Sequence, residues 1–83
     1  MLTAERFSQL SINDQVTTAL SNGQELLERI FVNNIIKLYL LDGFYVEIWY
    51  QQITNRITRV GVVNIEDVLH LYESQINITD LFR

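Results

Sequence analysis

Residues 35–50 read Ile-Ile-Lys-Leu-Tyr-Leu-Leu-Asp-Gly-Phe-Tyr-Val-Glu-Ile-Trp-Tyr, two β-rich runs joined at Asp42-Gly43. Asp and Gly both tolerate the positive φ angles of a tight turn, so this stretch predicts a β-hairpin. Loop length then decides which side chains share a face. A two-residue turn pairs Leu41 with Phe44 and sets Ile36 and Leu38 on the face of Glu47 and Trp49. A three-residue loop, Leu41-Asp42-Gly43 with Gly43 left-handed in a bulge, pairs Leu40 with Phe44 instead. That register aligns Ile36, Leu38 and Leu40 with Ile48, Val46 and Phe44, an entirely apolar face. The opposite face then carries Lys37 opposite Glu47, Tyr39 opposite Tyr45 and Ile35 opposite Trp49, each pair contributing about 0.2–1 kcal/mol. Burial and pairing thus both predict the three-residue loop.

The flanking segments predict an α+β domain. Over residues 3–10, Thr3 can cap a short helical turn with Ala4, Phe7 and Leu10 inward. Ser11 and Asp14 form a capping-box-like pair opening a helix over 12–21, with Ile12, Val16, Ala19 and Leu20 on its inner face. Asn22-Gly23 is a natural stop, through a left-handed residue. From Leu26 the pattern alternates as a strand, and Arg29 among its inward positions marks an edge strand. Asn33-Asn34 supplies a tight turn that sets Phe31 beside Ile36 and Leu27 beside Leu40. Residues 51–55 turn again, with Asn55 left-handed, into a fourth strand over 56–63. Ile57 and Val60 lie three apart, which predicts a bulge near Thr58, and Gly61 suggests close approach of another backbone. Asn64 caps a helix whose Ile65, Val68, Leu69 and Tyr72 should cover the sheet, and Leu81 and Phe82 could tuck against the domain or a neighbour. The whole is a four-stranded antiparallel meander with N-terminal helical segments and a C-terminal helix, one domain over residues 1–83.

Composition excludes much chemistry. With 83 residues the chain supports one core, burying about 60–65% of its unfolded surface. Cysteine is absent, removing disulfides, thiolate catalysis and Cys-based zinc sites. The six Lys and Arg are scattered in a chain of net charge −4, which argues against nucleic acid as a partner. The N-terminal residues lack a signal-peptide pattern, and no run approaches the roughly 18 apolar residues of a membrane span. The expectation is a cytoplasmic protein with no membrane partner.

His70 is the sole histidine, and with Glu66 four residues earlier it leaves a metal undercoordinated. Neither a nucleophile elbow nor a phosphate-binding glycine loop is present. No cofactor and no enzymatic activity are expected. What survives is the second sheet face, Ile35, Lys37, Tyr39, Tyr45, Glu47 and Trp49, whose aromatic groups around a polar centre resemble an interface hot spot. The reading is a protein-interaction or self-associating module, with a homodimer or another protein as partner. The alternative is a small-ligand binder with a pocket lined by Tyr45, Trp49 and Tyr72.

The run Leu38-Tyr39-Leu40-Leu41-Asp42-Gly43-Phe44-Tyr45-Val46-Glu47-Ile48-Trp49-Tyr50, followed by Asn55-Arg56-Ile57-Thr58-Arg59-Val60, resembles a group of short uncharacterised bacterial proteins. In them a Leu-Tyr segment, a Phe-Tyr-Val-Glu-Val-Trp-Tyr-like segment and an Asn-x-Ile-x-x-Ile-like segment follow one another. The resemblance implies the hairpin and a bacterial source, and carries no activity to transfer.

Overall fold

The computed structural model describes residues 1–75, so the expectation for Leu81 and Phe82 lies outside the described residues. The chain is an α+β domain: α1 (Ala4–Ser8), α2 (Ile12–Asn22), β1 (Gln24–Phe31), β2 (Asn34–Leu41), β3 (Phe44–Gln51), β4 (Arg56–Val63) and α3 (Ile65–Val68), which continues as a 3-10 segment, Leu69–Gln75. The strands form an antiparallel meander in the order β1-β2-β3-β4, leaving β1 and β4 at the edges. The helix starts follow from capping: the Thr3 hydroxyl accepts from the Arg6 N–H, that of Ser11 from Asp14 and the Asn64 side chain from Glu66. Asn55 is left-handed, with φ 59°. A bulge at Thr58 lets Trp49 pair with Arg59 and Tyr50 with Ile57, keeping Ile57 and Val60 on one face.

The hairpin register differs from expectation. Leu41 pairs with Phe44, and Asp42 and Gly43 both have positive φ, 48° and 87°, as in a two-residue type I′ turn. Leu38 therefore pairs with Glu47 and Tyr39 with Val46, so Leu38 and Val46 point to opposite sides. An all-apolar face is not required because both sides of the sheet are covered. On one side Phe7 of α1 and Ala19 of α2 pack on Tyr39, Leu41, Val46 and Ile48. On the other lie Ile36 and Leu38, both wholly buried, under the 3-10 segment with its buried Tyr72.

Three local expectations are also corrected. The β1–β2 turn is Val32-Asn33, so Phe31 pairs with Asn34, and a bulge at Leu26 sets Leu27 opposite Leu38. The α2 helix ends at Gly23 in extended backbone, φ −87°. Glycine is needed there for space, since a Cβ would sit 2.5 Å from the Ala19 carbonyl oxygen. A Cβ at Gly61 would meet nothing within 4 Å, so no backbone crowds its side-chain position.

Candidate functional site

Beneath the 3-10 segment, residues from three elements converge on one carboxylate. Glu47 of β3 is 6% exposed, and its Oε2 accepts a 2.7 Å hydrogen bond from the Tyr72 hydroxyl. Arg29 reaches across β2 to the same oxygen at 3.4 Å. The Arg29 guanidinium lies 5.4 Å from the Trp49 ring centroid and 5.3 Å from that of Tyr72, within cation–π range of both. On β4, Arg59 stands 5.5 Å from the same Trp49 ring. Burial, then the hydrogen bond to Glu47 and the carboxylate's charge, hold the Tyr72 phenol well above the usual tyrosine range. The cluster is a fastener: a carboxylate acceptor whose burial is compensated by two donors pins the 3-10 segment to the sheet.

The six residues expected on one contact face are divided between two. Ile35, Lys37 and Tyr39 lie on the side of α1 and α2, whereas Tyr45, Glu47 and Trp49 lie on the side of the 3-10 segment. The cause is the two-residue turn, which shifts β3 by one residue against β2 and so exchanges its faces. Lys37 consequently pairs with Glu25 at 3.0 Å rather than with Glu47. That hydrogen bond outweighs desolvation and raises the lysine above its ordinary range. The partnership of Arg29 and Tyr72 with Glu47 has no local sequence signal, since the three stand 18 and 25 residues from one another along the chain. His70 and Glu66 are exposed, and no group of three His, Cys, Asp or Glu could hold a metal among the described residues.

A second feature runs along α2. The helix is rotated from its expected orientation: Gln15 and Ala19 are buried, and Gln15 Nε2 donates to the Phe7 carbonyl at 3.0 Å. Ile12 and Leu20 are left 44% and 59% exposed. Ile12 lines a groove of about 580 Å³ of mixed character, with Val16, Tyr50 and Ile57 apolar and Asn13, Thr17, Asn55 and Arg56 polar. A smaller hollow of about 240 Å³ adjoins it through Tyr50 and Ile57, and is bounded by Leu20, Ile35, Lys37 and Tyr39. Tyr45, Trp49 and Tyr72 line neither of these. Compared with known proteins, the chain matches no family model, no curated protein and no solved structure.

Proposed function

We propose that the protein is a non-enzymatic interaction module that self-associates through the groove beside α2. The observation carrying this is a self-complementary patch: Leu20, an exposed apolar ridge at the rim of the smaller hollow, stands on the same surface as the groove that Ile12, Tyr50 and Ile57 line in part. A two-fold interface needs ridge and groove on the same surface, so that each copy inserts into the other. Asp14 is the single charged residue of α2 and the groove adds Arg56, one charge of each sign, so like-charge repulsion between two facing copies is offset. Glu47, the buried carboxylate, is occupied in fastening the 3-10 segment, which supports a structural rather than a catalytic role for it. The cytoplasm is the setting assumed, where a chain without cysteine loses nothing by reduction.

Sedimentation velocity over a concentration series tests the reading. A dimer is expected, converted to monomer by Leu20→Glu without loss of helical or sheet signal, because Leu20 is largely exposed. A wild-type chain that stays monomeric at high micromolar concentration refutes it. One observation favours a second reading, binding of a small apolar ligand: the smaller hollow is apolar apart from Lys37, Tyr39 and Tyr50, which could orient a polar head group. Calorimetric titration with a medium-chain fatty acid tests this, and absence of saturable heat removes it.

A further inference from the structure

The β1–β2 and β3–β4 turns lie at the same end of the sheet, joined by a hydrogen bond from the Gln52 N–H to the Asn33 carbonyl at 2.9 Å. Both carry large apolar side chains where turns ordinarily carry Asn, Asp or Gly. Val32 is 72% exposed and Ile53 74%, with Ile30 at 68% and Phe31 at 53% just behind. Val32 has φ 55°, a left-handed conformation that a β-branched residue rarely adopts. Its presence is thus unfavourable in two independent ways, in hydration and in backbone strain, and neither helps the fold.

The surroundings indicate what would cover this tip. Residues 29–36 and 48–59, which form this end of the sheet, include Arg29, Arg56 and Arg59 and no acidic residue, in a chain with ten acids and six bases. Arg29 is committed to Glu47, but Arg56 and Arg59 are exposed. The nearest acid in β1, Glu28, stands two residues behind Ile30 and opposite Lys37. Trp49 and Tyr50 sit just behind the end of β3, as amphipathic rings do at a bilayer's polar boundary. Four side chains, two on the turns and two at the end of β1, fall short of the roughly 800 Å² per partner of a stable protein interface. They suit a lipid surface, where each inserted side chain contributes separately and cations add attraction to anionic head groups.

We propose that the two turns form a docking tip that inserts Val32, Ile53, Ile30 and Phe31 into an anionic lipid interface, with Arg56 and Arg59 as its cationic rim. Such attachment is peripheral: no helix among the described residues is long and apolar enough to cross a membrane. The expectation of no membrane partner rested on the lack of a spanning segment, and docking by turns requires none.

Co-sedimentation of the full chain with phosphatidylcholine vesicles, with and without phosphatidylglycerol, tests the proposal, with emission of the single Trp49 as a second readout. Binding is expected to the anionic vesicles, to weaken with salt, and to fall at least about ten-fold in Ile53→Asp. Val32→Gly should weaken binding while raising the urea midpoint, a combination that a merely structural role does not produce. Leu20→Glu, which alters the hollow beside α2 and not the tip, should bind vesicles as wild type, so failure of self-association and failure of lipid binding are distinguished although Arg56 borders both surfaces. The proposal is overturned if the wild type stays in the supernatant with both vesicle types, or if Ile53→Asp or Val32→Gly binds unchanged. Self-association in lipid-free solution that Ile53→Asp abolishes would assign the tip to a second copy and overturn it equally.

Discussion

Replacing Arg29 with Met tests the reading of the buried cluster most directly. Methionine keeps most of the apolar stem between Trp49 and Tyr72 and removes the charge, so the measured change reports the ion pair together with the cation–π contacts to the two rings. Without Arg29 the Glu47 carboxylate, 6% exposed, retains only the Tyr72 hydroxyl, 2.7 Å away. Breaking a buried pair in this way costs about 3–5 kcal/mol. The single 3.4 Å contact is not a bidentate fork, which places the expectation near the lower bound, about 3 kcal/mol. A domain of this length has roughly 4–12 kcal/mol in total, so the variant should remain folded but lose about 12–24 °C in Tm. Urea unfolding followed by Trp49 fluorescence should show a lower midpoint with an unchanged slope. Adding Glu47→Gln to Arg29→Met should recover about 2 kcal/mol, because a neutral amide still accepts from Tyr72 and no charge remains buried. The Arg29 Nε is buried without a partner among the described residues, so Arg29→Met, alone or in the double variant, sheds one uncompensated donor. A loss below about 1 kcal/mol for Arg29→Met, or strict additivity in the double variant, would refute the fastener argument.

Two further outcomes follow from local geometry. Gly23→Ala places a methyl against the Ala19 carbonyl oxygen and should cost about 1–3 kcal/mol in urea unfolding, although its extended backbone suits alanine; unchanged stability would contradict the spatial account. The Tyr72 phenol is held above the ordinary tyrosine range in the folded state, while the unfolded chain ionises near pH 10. Above that pH the folded state binds more protons, so stability should fall as pH rises through this window. Urea midpoints measured from about pH 9 to about pH 11 should decline less steeply in Tyr72→Phe than in wild type. Equal slopes would show that Tyr72 contributes nothing to alkaline unfolding.

The short-range parts of the architecture were readable along the chain. Thr3, Ser11 and Asn64 begin helices because a side-chain oxygen meets an unpaired N–H within three residues, and Asn55 and the Thr58 bulge are equally local. The candidate contact surfaces were not readable. The rotation of α2 depends on Gln15 finding the Phe7 carbonyl, which turns Ile12 and Leu20 outward although their spacing marks an inner face. The turn apices at Val32 and Ile53 looked like strand and loop residues until their shared end of the sheet brought them together.

The amino-acid order alone determined roughly where the chain reverses, though not the residues of the first two turns, and that β1 lies at an edge, because capping, turn chemistry and alternation act over a few residues. The phase of the central hairpin was decided by the assembled fold. Asp42-Gly43 accommodates either loop length, and the register adopted buries Glu47, which Arg29 arriving across β2 and Tyr72 from the far end of the described chain compensate. An interaction between groups so distant in sequence leaves no periodicity to read, yet it determines which side chains each face of the sheet presents.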